Sequence, residues 1–238
     1  MKNKILAVLG YHKIGKPAKG GWETWYYTGE EIFKTHLRAI QETGWPVLSA
    51  GQFLKGLDDP SLFPQRSVLI TFDDAYASIS SYAQPILDEF GYPAVVFLPS
   101  GLAGGMNTFD AGLQPDEAIC GWSGLRELEK KGTSVQSHGV THGRFSGLNE
   151  KALLYEISAS KLDIEKNVNN TVSLLAYPYG DNGADPDLTD SFLKMAGYRA
   201  AFLYDDGINY LPPANPFRLS RIPMGPDTDI TGVFSKLK

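Results

Sequence analysis

Short extended runs, among them Ile5–Leu9, Ser67–Phe72, Ala94–Leu98, Ser134–Gln136, Val172–Ala176 and Tyr198–Leu203, recur along this chain with helix-periodic segments between them. That alternation is the strongest constraint on the fold, because parallel neighbours need a crossover long enough to hold a helix. From Gly29 to Thr43, the residues Ile32, Phe33, His36, Leu37 and Ile40 repeat at helical spacing before Gly44 stops the pattern. Further helices are predicted near 82–90, 124–131, 149–168 and 187–196, with short strands at 46–48 and 217–222 and a short terminal helix. Seven or eight strands with intervening helices fit an α/β fold, a (β/α) barrel whether complete or incomplete, better than an open doubly wound sheet. No composition break, Pro-rich linker or internal repeat divides residues 1–238, so a single domain is expected. Gly101, Gly104 and Gly105 form a loop that reads as a lid or plain connector, since no GxGxxG or P-loop pattern opens the next helix. Residues 112–121 read as a long loop.

Composition excludes several classes. A formal net charge of −5 without a dense Lys/Arg cluster leaves no electrostatic footprint for nucleic acid. The single Cys120 rules out an internal disulfide framework and a Cys-based zinc knuckle, and reads as a buried small side chain. Met1–Lys4 is basic and precedes the apolar Ile5–Leu9, but that run is about half a signal core, and Gly10-Tyr11-His12 follows without a small-residue cleavage site. No stretch approaches the roughly 20 apolar residues of a membrane span. The expectation is a soluble protein, cytoplasmic as written unless a leader was removed before numbering. No surface pattern decides an oligomeric state.

Chemistry is concentrated where the extended runs end. In a parallel barrel the carboxyl ends of the strands share one mouth, so polar groups distant in sequence can converge there. Thr71-Phe72-Asp73-Asp74 places two carboxylates at the tip of an apolar strand, where successive side chains diverge and one Asp can bind a metal while the other faces substrate. Alone, such a pair equally well opens a loop or caps a helix. Ser137-His138-Gly139-Val140-Thr141-His142 carries two imidazoles four apart, which lie on one face if the segment turns helically. Two of only four His at ligand spacing are less easily explained by packing. Two imidazoles and one carboxylate leave positions open for water and substrate, with zinc as the default ion and cobalt or nickel also suited to such ligands.

These motifs, with Tyr177-Pro178-Tyr179-Gly180, resemble in order and spacing the leading motifs of NodB-type polysaccharide deacetylases, carbohydrate esterase family 4. Trp122-Ser123-Gly124-Leu125-Arg126-Glu127-Leu128 resembles the tryptophan-led helix before the histidine motif in that family. The resemblance implies a distorted (β/α)7-type barrel and metal-dependent removal of N-acetyl, or sometimes O-acetyl, groups from sugar polymers. Carried over, it implies Asp74, His138 and His142 as metal ligands and Asp73 as the base for the attacking water. The backbone at Tyr179 is then an oxyanion donor, and Tyr177, Pro178 and Trp122 lie against substrate.

Three positions depart from the family pattern. Gly139 replaces a Ser or Thr whose hydroxyl would steady the histidine loop. Ala176 stands where an Arg usually partners the catalytic Asp, and Arg221 is a candidate substitute. No His follows His142, so the usual late acid is missing. Gly10-Tyr11-His12 resembles the early Tyr-His of the subgroup acting on poly-N-acetylglucosamine, which implies His12 as the acid that protonates the leaving amine. Trp22, Trp25, Tyr26 and Tyr27 cluster in a loop after the first strand and offer flat faces to sugar rings or a plug for the barrel, while Phe109 and Trp122 are ambiguous in the same way. His36 sits in an apolar helical pattern and reads as structural. Two rival readings remain: a metal-independent amidohydrolase of the same barrel superfamily, and a carbohydrate-binding relative with weakened catalysis.

Overall fold

The protein is described from a computed structural model that covers residues 4–237, so Met1–Asn3 of the basic start lie outside the described residues. β1 (Lys4–Tyr11) leads through the short β2 (Lys13–Ile14) and β3 (Tyr27–Thr28) to α1 (Glu30–Thr43) and α2 (Ala50–Asp58). There follow β4 (Arg66–Phe72), α3 (Gln84–Phe90), β5 (Ala94–Leu98), α4 (Trp122–Lys130), β6 (Thr133–Ser137) and α5 (Glu150–Val168). The chain ends with β7 (Leu174–Ala176), α6 (Pro186–Met195), β8 (Ala200–Phe202), β9 (Asn209–Leu211), β10 (Ile222–Pro223) and α7 (Ile230–Ser235). The main sheet runs β10-β1-β4-β5-β6-β7-β8 in parallel, and β9 adds an antiparallel pairing to β1.

This sheet curls into a barrel-like form, and residues 219–223 span the gap between its ends. Leu219 accepts from Leu203 N–H and donates to Ala201 O beside β8. Three residues later, Ile222 pairs with Leu9 of β1. Changing partners within five residues explains why the expected strand 217–222 is regular only at Ile222–Pro223. The expected strand at 46–48 shrinks to one bridge, Val47 to Val68, because the Ser49–Gln52 capping box turns the chain into α2. β9 was not expected, since three residues carry little periodic signal.

The period-two alternation of the strands divides the core in two. Ala7, Leu9, Val68, Ile70, Val96 and Leu175 pack with apolar residues of the outer helices, such as Phe33, Leu128 and Ile157. Their neighbours Leu6, Val8, Leu69, Phe97, Leu174 and Phe202 form the inner cluster, plugged by Phe53 of α2. The same alternation turns Leu69, Thr71 and then Asp73 inward. Among the described residues no helix is long and apolar enough to cross a membrane. His36 is buried with Nδ1 3.1 Å from the Tyr11 hydroxyl, and Cys120 is buried and unpaired.

Phe97 touches Phe202 across the inner cluster and lies under the Arg221 guanidinium. Replacing it by Ala is expected to cost about 3–5 kcal/mol of stability through lost burial and a residual cavity, measured by urea unfolding.

Candidate active site

Asp73 and Asp74 follow β4 and are both buried. Arg221, fully buried, grips Asp73 with both terminal nitrogens, Nη1 to Oδ1 at 2.5 Å and Nη2 to Oδ2 at 2.8 Å, while its Nε donates to Leu203 O. Burial alone would raise the Asp73 pKa, but the Arg221 charge, with His138 and His12 nearby, holds it below the usual carboxylate range. Asp74 adopts φ +66° and Ala75 φ +55°, a turn that sends the second carboxylate away from the first.

The histidines do not lie on a helix. Gly139 (φ +75°) and His142 (φ +62°) fold residues 138–142 into a loop that brings the two rings to 4.8 Å. His138 Nδ1 is 2.7 Å from Ala176 O, and because a carbonyl only accepts, Nδ1 carries the proton and Nε2 presents a lone pair. Burial pushes the His138 pKa down to about 4, so the ring is neutral at physiological pH. His142 is held by packing instead, stacked on Phe109 at 3.9 Å and edged by Tyr179 at 4.6 Å.

The loop hangs from Glu156 of α5. Its carboxylate accepts from Val140 N–H (2.6 Å), Thr141 N–H (3.0 Å) and the Thr141 hydroxyl (2.7 Å), and Ser137 Oγ accepts from Gly139 N–H. A Cβ at position 139 would come within 2.8 Å of Glu156 Oε2, so Gly139 does not leave the loop unsupported; it makes room for the carboxylate that supports it. Gly101 of the connector after β5 donates to Val140 O from behind, which makes that loop a backing for the histidine motif rather than a lid.

His12 follows β1 with Nε2 3.9 Å from Asp73 Oδ2. Burial lowers its pKa, opposed by Asp73 and Asp74. Tyr204 packs edge-on against the His12 ring and also covers Arg221. His12, Asp73, Asp74, His138, His142 and Tyr204 border a cavity of about 320 Å³ whose wall also includes Tyr26, Asp110, Arg144 and Tyr179.

Asp74, His138 and His142 offer ligand atoms within 4.8 Å of one another, all buried. Among the described residues Asp74 Oδ1 has no hydrogen-bond partner, although His142 Nε2 lies 3.1 Å and His138 Nε2 3.5 Å away. A carboxylate oxygen facing an imidazole lone pair in a buried site repels it unless a cation lies between them, so the donor set fits a divalent ion.

The polysaccharide deacetylase family matches residues 62–201. The chain belongs to that family. It is 27% identical to the poly-beta-1,6-N-acetyl-D-glucosamine N-deacetylase of Staphylococcus epidermidis, over 93% of this chain and 79% of the relative. A Bacillus subtilis relative designated YxkH is 23% identical over 74% of this chain, which spans only 57% of that protein. Among solved structures, the Streptococcus pyogenes deacetylase PplD in complex with acetate superposes with TM-score 0.83 at 21% identity, covering 99% of both chains. IcaB from Ammonifex degensii gives 0.80 at 20% identity, covering 97% of this chain and 96% of its own. These likenesses establish the NodB barrel-like fold.

In this deacetylase the structure brings Asp73, Asp74, His138, His142, His12 and Tyr179 to one cavity. It does not bring the other sequence candidates there. Tyr177 is fully buried and donates its hydroxyl to Phe217 O, Pro178 is buried beneath the turn, and Trp122 packs at the start of α4 against the outer core. Trp25 donates to Asp227 on the surface and edges Tyr26, which takes the place at the rim. Glu156 and Tyr204 were not singled out from the sequence; the glycines that make room for them, Gly139 for one and Gly10 and Gly180 for the other, were the available signal.

Arg221→Met strands a buried carboxylate and is expected to cost about 3–5 kcal/mol in urea unfolding, with deacetylation lost. Glu156→Gln turns an amide NH2 toward N–H donors; ion affinity, read by chelator competition, is expected to fall about 10- to 100-fold.

Proposed function

We propose that this deacetylase removes N-acetyl groups from a poly-β-1,6-N-acetylglucosamine-like polymer, with residues 1–238 acting as one unit and Asp74, His138 and His142 holding a divalent ion, zinc by preference. The observation that carries the reading is the convergence of an unpartnered Asp74 oxygen and the His138 lone pair beside the Arg221-held Asp73. The polymer is the one named for the staphylococcal relatives. When bound, the ion polarises the acetyl carbonyl and makes water acidic enough to attack near neutral pH.

The chain's own residues supply the rest. Asp73, kept ionised by Arg221, takes the proton of the attacking water. His12 Nε2 faces Asp73 Oδ2 across 3.9 Å, so the proton collected at that oxygen is passed to His12 and then to the leaving nitrogen. A His12 that rests neutral because it is buried is suited to receiving that proton. The Tyr179 backbone, at φ +58° in a turn fixed by Pro178, supplies the N–H that meets the developing oxyanion. Strained φ at Asp74, Ala75, His142 and Tyr179 places at this site four of the six non-glycine positive-φ positions found among the described residues.

Protein purified without added ions is expected to contain stoichiometric metal and to release acetate from N-acetylglucosamine oligomers, with activity lost on chelation and restored by zinc. His12→Ala is expected to retain the metal and lose roughly 100-fold or more in kcat; an unchanged kcat removes His12 as the acid. Bound metal without acetate release moves the search to other acylated substrates or a binding role. No metal after zinc addition favours the metal-independent amidohydrolase.

A further inference from the structure

Lys13 is buried beside the catalytic groups, yet no step above uses it. Its ammonium lies 4.8 Å from the Tyr27 ring centroid and 4.7 Å from that of Tyr76, an aromatic seat that holds it in place. From there it reaches Oε1 of Gln114 at 3.2 Å, and the Thr24 hydroxyl donates to the same oxygen at 2.6 Å. An ammonium has only protons to give, so the atom facing it must be the amide oxygen. The Gln114 NH2 is therefore turned the other way, and none of its hydrogen bonds is found among the described residues.

Gln114 stands on a boundary. It lines the catalytic cavity of about 320 Å³ and also a second one of about 440 Å³, formed between residues 18–22 and 112–116. The first is at the small end of ligand pockets and suits one acylated sugar rather than a stretch of chain. A polymer reacting there must leave over the rim, and the cavity that shares a wall with the site is next in line. Trp22 borders that second cavity with half its surface exposed, a broad apolar face of the kind on which the C–H face of a pyranose ring packs. The loop is not loose: Ala18 N–H and the Tyr27 hydroxyl both donate to Glu117 Oε1, tying its two walls together.

We infer that the cavity between residues 18–22 and 112–116 is a second sugar subsite, which takes the pyranose unit next to the one being hydrolysed. Trp22 provides the platform, and the Gln114 amide, aimed by Lys13, donates to a hydroxyl or acetamido oxygen near the linkage. The inference rests on the proposed polysaccharide substrate and adds a chain-length preference to it. Lys13 acts as a positioning residue whose effect is exerted through Gln114.

The test compares the parent protein with Trp22→Ala and Gln114→Glu. The second variant keeps an acceptor for Lys13 and Thr24 but loses both donors. Binding of N-acetylglucosamine monomer and of its β-1,6-linked pentamer to chelated protein is measured by isothermal titration calorimetry, and acetate release is measured after zinc return. The parent is expected to favour the pentamer, and each variant to lower the pentamer-to-monomer affinity ratio about five- to tenfold, the effect of one lost hydrogen bond or stacking contact. A parent without length preference, or two variants with the parental ratio, would overturn the subsite. Selective pentamer binding that the variants lose, without acetate release from the parent, would leave the subsite standing and remove the deacetylation on which it was built.

Discussion

The pairing of Arg221 with Asp73 is the interaction on which the site depends. Two buried charges are costly unless their geometry is good, and here a planar guanidinium meets both carboxylate oxygens while its remaining nitrogen finds a backbone carbonyl. That pairing keeps Asp73 ionised despite burial and fixes it facing His12. The surrounding rings serve the same pair: Phe97 lies under the guanidinium, and Tyr204 covers it while edging His12. Packing of the inner cluster and protonation of Asp73 are thus linked through one side chain.

The two proposed imidazole ligands are oriented by different physics. His138 is fixed by a hydrogen bond to a strand-end carbonyl, which also selects its tautomer. His142 Nδ1 finds no partner among the described residues, and the ring is set by aromatic contacts on two sides. Glu156 joins them by holding the intervening backbone from a neighbouring helix. A loop with left-handed residues at Gly139 and His142 keeps one shape because these separate restraints agree.

Much of this was legible in the chain. The strand and helix alternation led to the barrel, and the carboxylate pair, the histidine pair and His12 were each read from their place at the end of an extended run. Arg221 was marked only because Ala176 lacks the usual guanidinium, and a residue 148 positions from its partner leaves no local trace. The helical reading of the histidine motif failed because spacing of four does not distinguish a helical turn from a loop that folds back through glycine. The aromatic residues misled for a related reason: Tyr177 and Trp122 carry the right chemistry for sugars, but whether a ring faces the mouth or the core depends on packing. Glu156 looked like an ordinary helix carboxylate, and its role follows only from the loop laid across it.

The segment that closes the barrel also carries Arg221. Asp73, Asp74, His138 and His142 are all synthesised well before it, and Asp73 lacks its guanidinium counter-charge until residues 219–223 settle between β8 and β1. A growing chain emerging from the ribosome therefore carries every proposed ion ligand while the proposed base is still without its guanidinium. Completion of the architecture and onset of chemistry become the same event, so hydrolytic competence reports that the last strand has docked.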